Sequence, residues 1–462
     1  MTLHHLSLRK LHGYMNKEID FRSDINLIVG INGSGKTSVL NAVSWLLQPS
    51  IPDLCTTQFD EIRLDFLQDT ANASIRCTQT ETEFRLFLEG PAYVDFAPLV
   101  VQLARPAASI RTTRDREEMY EVYKGLRPDA DEQKTWSALR RISSPIVVGL
   151  ERTLRSDQLE LQVSQAKAHS LGLLPQAFEP GVEGLPLKRV QELTGEAYSR
   201  YRTRLIRINE ELREKIMLSA FDIGTSLQPG RKAKGKQLIL SEAKIEQLET
   251  RVSRYFAQEA HAVGMRTRRR GDDKTNIAKS YFRELRKLLE LSKASRKGAS
   301  NKALWNLLLG QLQKMNRLIA EFERFDKRSD QAYTEIRQYL DTLNRFLKDS
   351  AKRIRFDPNT NSLTFDIIDA NGRPTEISRG IEALSSGEKQ IVILFTYLAF
   401  QRGKIFVVDE PEISLHPRWQ EEFLDGVKDL MRADTQLIIA THSPAIVGKY
   451  VDYCTTLLPY NQ

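Results

Sequence analysis

The order of apolar and polar residues divides the chain into strand-like and helix-like stretches. Between Leu3 and Phe21 the two kinds of residue alternate on both sides of a turn near Gly13. Alternation with a period of two is typical of strands with one buried face, so a β-hairpin is predicted there. The same pattern predicts a small antiparallel sheet from three further stretches: Glu61–Leu67, Ala73–Cys77 and Glu83–Leu88.

Short, continuous apolar runs predict a second kind of strand. Runs of this kind are typical of parallel sheets that are covered on both faces. The runs are Ile25–Val29, Ile146–Val148, Ile405–Val408 and Gln436–Ala440. Two more strands, Leu363–Asp369 and Pro374–Ile377, are predicted on either side of a turn at Asn371 and Gly372.

The middle of the chain has a different character. Its apolar residues recur at helical spacing within long, charged segments, and Gly and Pro mark the breaks between them. The segments are Lys188–Leu218, Gln237–His261, Asn276–Leu291, Lys302–Phe325 and Tyr333–Ile354. The heptad pattern is too short for a long coiled coil, so we expect a compact, largely helical insertion or lid.

A glycine-rich loop joins the first apolar run to a helix-like stretch. Residues Gly30–Thr37 match the phosphate-binding pattern G-x-x-x-x-G-K-[ST] in its strand-before, helix-after context. Glycines let backbone N–H groups turn toward phosphate oxygens, and the helix N-terminus favours negative charge. Lys36 supplies positive charge, and the Thr37 hydroxyl suits Mg²⁺. The predicted contacts to a nucleoside triphosphate are Gly30, Asn32, Gly33, Ser34, Gly35, Lys36, Thr37 and Ser38.

Acidic residues and a histidine follow two of the later apolar runs. Asp409 and Glu410 come directly after Ile405–Val408, and His442 lies just beyond Gln436–Ala440. Parallel strands deliver their C-terminal ends to one edge of the sheet. We expect Asp409 to bind Mg²⁺ with Thr37, Glu410 to orient or deprotonate a water, and His442 to contact the γ-phosphate. The alternatives are solvated strand ends and a buried structural histidine.

Charge and composition limit the kinds of partner molecule and the cellular location to expect. The net charge is +8, but residues 229–302 alone carry 20 Lys/Arg against 8 Asp/Glu. This basic segment suits nucleic acid or an acidic protein, or it is an ordinary solvated helix surface. The apolar runs are shorter than the roughly 18–20 residues that span a bilayer. Because there is also no secretory signal and the cysteines are scattered, we expect a cytoplasmic protein with no membrane partner.

The order of the motifs resembles that of the ATP-binding-cassette (ABC) ATPases. The motifs are the Gly30–Thr37 loop, Leu384–Glu388, Val408–Pro411 and Thr441–Ser443. Within that superfamily the chain is similar to the soluble branch of SMC, Rad50, RecF and the OLD nucleases, and Glu410–Pro417 resembles the OLD type. The resemblance implies an α/β fold, namely a P-loop ABC-type ATPase head with a mostly parallel sheet, a small antiparallel β-subdomain and a long helical insertion.

The resemblance also implies a division of the chain and a shared site. Residues 1–153 would form the N-terminal half of the head, 154–354 the helical insertion with its basic 229–302 segment, and 355–462 the C-terminal half. In this superfamily a signature segment of one subunit caps the ATP held by another. The implied cofactors are ATP and Mg²⁺, the implied partner is a homodimer or larger homo-oligomer, and the implied trans contacts are Ser385, Ser386, Gly387 and Glu388. Ser386 stands where the family usually has glycine.

Missing parts indicate which functions to expect. OLD nucleases carry a Toprim domain after the head, and the residues beyond His442 leave no room for one. The insertion shows no nuclease or zinc-ligand pattern. The chain therefore resembles the ATPases of anti-phage defence systems, such as AriA of PARIS or PtuA of Septu, whose effector is a separate Toprim or HNH nuclease. We expect an ATPase switch without its own nuclease centre; the alternative is a RecF-like ATPase that binds DNA for repair or maintenance.

Overall fold

The computed structural model describes residues 1–68, 70–142, 145–148, 185–221, 302–369, 371–375, 378–401 and 405–458, with scattered helical positions between 246 and 290. Its strands are β1 Thr2–Leu11, β2 Met15–Asp20, β3 Ile25–Val29, β4 Glu61–Gln68, β5 Ala71–Gln79, β6 Glu83–Glu89, β7 Leu99–Gln102, β8 Ile146–Val148, β9 Lys352–Phe356, β10 Leu363–Ile367, β11 Arg379–Gly380, β12 Ile405–Asp409, β13 Gln436–Thr441 and β14 Cys454–Thr456. Its α-helices are α1 Lys36–Leu47, α2 Ile51–Thr56, α3 Thr113–Lys124, α4 Gln133–Leu139, α5 Leu185–Phe221, α6 Lys302–Leu347, α7 Ser386–Phe400, α8 Pro417–Leu430 and α9 Pro444–Val447.

A parallel sheet holds the strands that the continuous apolar runs predict. Its order among the described residues is β14-β3-β13-β12-β8, and every neighbouring pair is parallel. Strands β12 and β13 are buried along their whole length, which explains why their sequences lack alternation. The register sets Asp409 beside Ala440 and Ala440 beside Ile28, so three strands end at nearly the same level.

Antiparallel sheets hold the strands that the alternating patterns predict. The larger one has the order β2-β1-β4-β5-β6-β7, and a smaller one has the order β11-β10-β9. In β4, Ile62, Leu64 and Phe66 are buried and the polar residues between them are half-buried, as the alternation predicts. The predicted α/β class, with a mostly parallel sheet, an antiparallel subdomain and a helical region, is confirmed.

Helix α1 packs between the parallel sheet and the larger antiparallel sheet. Its apolar face, including Val39, Val43 and Leu46, joins one hydrophobic core with residues of both sheets. Gln436 ties the sheets together: its side chain accepts a hydrogen bond from the Leu3 N–H (2.8 Å) and donates to the carbonyl oxygens of Leu3 (3.0 Å) and Arg22 (2.7 Å). The helix that begins in the phosphate loop is therefore anchored on both sides.

One predicted helical segment is wrong in its extent. The stretch Tyr333–Ile354 is not a separate helix: α6 runs unbroken from Lys302 to Leu347, and Ile354 lies in a strand. Residues 326–332 contain no Gly or Pro to interrupt the helix. Beyond Leu347, Ala351 adopts a left-handed conformation (φ 51°), after which Ile354 and Phe356 are buried on one face of β9.

Other predicted elements are matched in part or lie outside the described residues. Strand β10 ends at Ile367, and beyond it a bridge joins Ile368 to Pro374 in the described part of the predicted second strand. The segments Gln237–His261 and Asn276–Leu291 lie mostly outside the described residues. The predicted boundary between residues 153 and 154 also lies outside them, and the predicted domain limits stay a prediction.

The described residues form two compact units. The first contains Met1–Tyr198 and Glu335–Gln462, and with them all the named strands. The second, Ser199–Thr334, contains helical residues of α5 and α6, where Lys215 pairs with Glu321 (2.8 Å). Among the described helices, none combines the length and apolar character needed to cross a bilayer.

Candidate nucleotide-binding site

The loop between β3 and α1 has the backbone that its glycines allow. Gly33 (φ 82°) and Gly35 (φ 93°) both lie in the left-handed region, which L side chains rarely adopt. Gly30 has no room for a side chain, since a Cβ there would lie 2.7 Å from the Leu457 carbonyl oxygen. These positions explain why the loop requires glycine and how its chain turns into the N-terminus of α1.

Lys36 lies at the start of α1 and is buried. Its Nζ donates hydrogen bonds to the carbonyl oxygens of Gly30 (2.9 Å) and Ile31 (3.2 Å), so the ammonium spans the loop. Ser34 is also buried, and its Oγ has no hydrogen-bond partner among the described residues. In contrast, Asn32 and Thr37 are exposed. The loop thus combines the buried Lys36 ammonium and the unpartnered Ser34 hydroxyl with exposed residues at Asn32 and Thr37.

Asp409 lies at the end of β12, beside this loop. It accepts a hydrogen bond from the Thr37 hydroxyl, while its Oδ1 is buried and has no partner in the described part of the chain. Burial raises the pKa of Asp409, although the Thr37 hydroxyl and the Lys36 ammonium oppose the shift. A buried carboxylate with a free oxygen is a suitable ligand for a cation.

Thr37 and Asp409 fit a magnesium ion. Mg²⁺ in nucleotide sites is held by one or two carboxylates and a hydroxyl, with phosphate oxygens and waters completing the shell. The unpartnered Asp409 Oδ1 supplies such a carboxylate oxygen, and the exposed Thr37 supplies the hydroxyl. No described cluster of three His, Cys, Asp or Glu side chains offers an all-protein metal cage.

Glu410 follows Asp409 in a left-handed conformation (φ 45°) that is unusual for a residue with a side chain. Its N–H donates to the Ala440 carbonyl oxygen (2.9 Å), which fixes the turn against β13. The Glu410 side chain is 18% exposed, and its Oε1 lies 3.8 Å from His442 Nδ1. This uncommon backbone conformation occurs where the Glu410 carboxylate lies next to the histidine.

His442 lies just past the end of β13 and is held by a residue that the motif reasoning left without a role. Its Nδ1 is 3.0 Å from Glu412 Oε1, and its backbone N–H donates to the same oxygen (2.8 Å). Glu412 lies in a 3-10 turn, Pro411–Ser414. The only signal in the sequence is its position two residues after Glu410, within the segment that resembles the OLD type.

The predicted signature segment lies at the N-terminus of α7. Ser385 and Ser386 are exposed, whereas Glu388 is buried and accepts a hydrogen bond from the Ser385 N–H (2.8 Å). Glu388 also pairs with Lys352 Nζ (2.7 Å). Burial opposes ionisation of Glu388, but the bonds from Lys352 and Ser385 outweigh it and hold its pKa below 4.5. Sequence reasoning missed Lys352, which lies 36 positions away.

A second histidine, His12, also touches the loop helix. It lies in the β1–β2 turn, and its Nε2 is 3.0 Å from Ser38 Oγ. Burial, with the nearby Arg116 charge, lowers the pKa of His12, so the neutral ring is favoured. The β1–β2 turn therefore flanks the residue that follows Thr37.

The structure thus divides the predicted site residues into two groups. The loop, Thr37, Asp409, Glu410 and His442 lie at the C-terminal edge of the parallel sheet, which the strand register brings to one level. Within the described part of the chain, no hydrogen bond or ion pair joins Ser385–Glu388 to that edge.

The fold and the site together define a P-loop ATPase. A family model described as "AAA domain" matches residues 5–355, well over half of the chain, so the protein belongs to this AAA-domain family. An overlapping model described as "AAA domain, putative AbiEii toxin, Type IV TA system" matches residues 273–448.

Curated relatives align over short stretches. Uncharacterized protein MJ1542 of Methanocaldococcus jannaschii is 30% identical over 96 residues, which is 20% of this chain and 12% of that protein. DNA replication and repair protein RecF of Salinibacter ruber is 48% identical over 46 residues, which is 10% of this chain and 11% of RecF. The chain therefore spans only a small part of the length of these relatives.

Among solved structures, the Smc head domain of Pyrococcus furiosus, crystallised with the C-terminal domain of ScpA, aligns with 96% of this chain and 91% of its own. The sequence identity is 14% and the TM-score is 0.36.

Proposed function

We propose that this protein binds Mg²⁺-ATP and hydrolyses it. The observation that carries the proposal is the convergence of Lys36, Thr37, Asp409, Glu410 and His442 at one edge of the parallel sheet. Backbone N–H groups of the loop and the Lys36 ammonium compensate the phosphate charge. Thr37 and Asp409 would hold Mg²⁺, which would further neutralise charge on the phosphate oxygens.

The remaining residues act on the water and the γ-phosphate. Glu410 accepts a proton from the attacking water or orients it, because its carboxylate is partly exposed at the sheet edge. His442 lies 3.8 Å away and donates a hydrogen bond to the γ-phosphate or to the departing product. Because these roles concern the water and the γ-phosphate in the chemical step, loss of either residue should lower kcat more than ATP affinity.

We further propose that a second copy of this chain completes the site through Ser385–Glu388. The segment opens α7, so its N–H groups and the helix dipole favour an anion. Glu388 is occupied within its own chain by Lys352 and by the Ser385 N–H. The groups left to meet the partner's γ-phosphate are the exposed hydroxyl of Ser386 and the N–H groups of Ser386 and Gly387, because the Ser385 hydroxyl is bonded to Glu388 in the helix cap.

The oligomer is proposed to act as an ATP-dependent switch that controls a separate effector nuclease, of Toprim or HNH type, in anti-phage defence. The match of residues 273–448 to a family described for a toxin of a type IV toxin–antitoxin system supports a role in such a two-component system. A second candidate is a DNA repair or maintenance ATPase, which the 48% identity to RecF over 46 residues favours.

The shared site and the two candidate functions are tested separately. If the site is shared between chains, ATP turnover per molecule should rise with protein concentration, and the Glu410→Gln variant with ATP should form a dimer in size-exclusion chromatography with light scattering. Turnover that is independent of concentration in a strictly monomeric sample would contradict the shared site. Duplex DNA binding with a steep salt dependence would favour the RecF-like function. Stable co-purification, at high salt, of a nuclease encoded by a neighbouring gene would favour the switch.

A further inference from the structure

Glu412 is a buried carboxylate that the roles above do not use. Its side chain is 4% exposed, and it lies two positions after Glu410 in the Pro411–Ser414 turn. Burial of a carboxyl group is costly unless hydrogen bonds compensate it. The bonds that Glu412 makes therefore indicate what the carboxylate is for.

All the described hydrogen bonds of Glu412 side-chain oxygens converge on Oε1 and come from the loop that carries His442. The Thr441 hydroxyl donates at 2.9 Å and the His442 N–H at 2.8 Å, while His442 Nδ1 lies at 3.0 Å. The oxygen of the Thr441 hydroxyl also accepts a hydrogen bond from the Ser443 N–H (3.0 Å), so this hydroxyl is both donor and acceptor. Glu412 Oε2 is buried and has no partner among the described residues.

This arrangement favours one ring nitrogen of His442 as the site of the proton. Glu412 Oε1 accepts from the Thr441 hydroxyl and the His442 N–H, and a lone pair on Nδ1 would be repelled by this carboxylate oxygen at 3.0 Å, so the contact favours a hydrogen on Nδ1. In the neutral ring the lone pair then lies on Nε2, and in the charged ring Nε2 carries the second proton. Either way Nε2 is the atom left to exchange a proton or hydrogen bond with a ligand.

Gln420 of α8 reinforces the same geometry from the other side. Its Nε2 donates to the carbonyl oxygens of Glu412 (3.2 Å) and Leu415 (3.0 Å), and its Oε1 accepts from the Ser443 hydroxyl (2.7 Å). The turn that carries Glu410 and the loop that carries His442 are thus joined by two side chains. Of these, only Glu412 contacts the imidazole.

We propose that Glu412 is the positioning residue of the site: it keeps the proton of His442 on Nδ1 and thereby aims Nε2 at the γ-phosphate beside the Glu410 carboxylate. The proposal rests on the proposed ATPase function for its kinetic consequence, but its structural consequence, the tautomer of His442, does not depend on catalysis.

The tautomer is tested with protein labelled with ¹⁵N at histidine. The chain has 7 histidines, and a His442→Asn variant assigns the His442 signals by difference. At alkaline pH the wild type should show a proton-bearing Nδ1. Glu412→Ala should shift His442 toward the other tautomer, and Glu412→Gln, which keeps an acceptor oxygen, should retain the wild-type form. A proton-bearing Nε2 in the wild type, or unchanged signals in Glu412→Ala, overturns the proposal.

Kinetics supply the second readout. Glu412→Ala should lower kcat roughly 10–100-fold, with KM for ATP changed less than about twofold. The reason is that Glu412 orients His442 and is not itself proposed to bind ATP. Glu412→Gln should recover most of the loss. Glu421→Ala, an exposed carboxylate of α8, is the matched control and should stay within about twofold of wild type.

A double variant separates positioning from general damage to the fold. In a His442→Ala background, Glu412→Ala should cause no further loss of kcat. An equal loss in both backgrounds would show that Glu412 acts independently of His442 and would overturn the proposal. If the wild type does not hydrolyse ATP, or His442→Ala leaves kcat unchanged, the proposed function fails, and the tautomer measurement still decides the role of Glu412.

Discussion

The edge of the parallel sheet and the N-terminus of α7 differ in whether their buried polar groups have hydrogen-bond partners. At the sheet edge, Ser34 Oγ, Asp409 Oδ1 and Glu412 Oε2 are buried without a partner among the described residues. At α7, the Glu388 carboxylate is paired with Lys352 and with the Ser385 N–H. Unpaired buried polar atoms cost stability, whereas paired ones fix a local conformation.

The difference in pKa follows the same division. Burial raises the pKa of Asp409, so its charge is less favourable here than in water, and a bound cation would stabilise it. Burial also acts against the charge of Glu388, but Lys352 and Ser385 overcome it and lower the pKa. The sheet edge is therefore arranged for a ligand, and the signature segment is arranged as a rigid surface that presents its backbone.

The largest expected effect is that of Lys36→Ala. Removing the buried ammonium should weaken ATP binding at least about 100-fold, because charge-assisted bonds to phosphate are among the strongest in proteins. Binding of a fluorescent ATP analogue, measured by titration, checks this. The exposed Lys348→Ala should bind normally. Unchanged affinity in Lys36→Ala would mean that the loop is not the nucleotide site.

Glu410→Gln should separate binding from chemistry. The amide cannot take a proton from water, so kcat should fall roughly 100-fold or more while ATP affinity stays within about twofold. Steady-state phosphate release and nucleotide titration are the measurements, with the exposed Glu421→Gln as control. Wild-type turnover would exclude Glu410 from the handling of water.

A smaller effect is expected at the paired carboxylate. Glu388→Gln keeps a capping side chain but leaves Lys352, which is 21% exposed, without its partner. The free energy of unfolding should fall by about 1–2 kcal/mol in denaturant titrations, with ATP affinity of the separate chain unchanged. Equal stability of variant and wild type would show that the pair contributes nothing.

The direction of the Glu388 pKa shift predicts how the stability difference between wild type and Glu388→Gln changes with pH. Since the pKa of Glu388 is lower in the folded protein than its ordinary 4.5, the stabilisation is present above pH 4.5 and disappears as the pH falls through the folded pKa. Wild type and Glu388→Gln should therefore converge in stability at acidic pH. A gap that widened on acidification would contradict the assigned direction.

The smallest effect is opposite in sign. Asp409→Asn removes a charge that burial disfavours, so the nucleotide-free protein should gain roughly 0.5–1 kcal/mol of stability, as is common when functional strain is relieved. The same change should abolish any shift of the melting temperature by Mg²⁺-ATP. A destabilised Asp409→Asn would remove the contrast between the two regions.

The sequence predicts those parts of the fold that local pattern controls. Continuous apolar runs identify β3, β8, β12 and β13, and the alternating stretches identify the antiparallel sheet. The end of α6 was not predictable from periodicity, because the left-handed turn at Ala351 uses neither Gly nor Asn. The continuity of α6 was open to prediction, since residues 326–332 contain neither Gly nor Pro.

For the candidate site, spacing and motif order placed Lys36, Asp409 and His442 at a common edge, as the strand register has them. The same reasoning missed Lys352 and the hydrogen bonds of Glu412, since these depend on contacts between segments that are 36 and 30 positions apart. Whether Glu388 meets a nucleotide stays a prediction, but its carboxylate already has partners in its own chain.

The interleaved order of the parallel sheet has a consequence for synthesis on the ribosome. Strands β3 and β8 are made early, yet their described partners β12, β13 and β14 are made only near the end of the chain. Until then the apolar edges of the early strands lack neighbours, a condition that favours aggregation and slows folding. The early strands therefore stay without these neighbours until the ribosome has also made the helical middle of the chain and the strands that follow it.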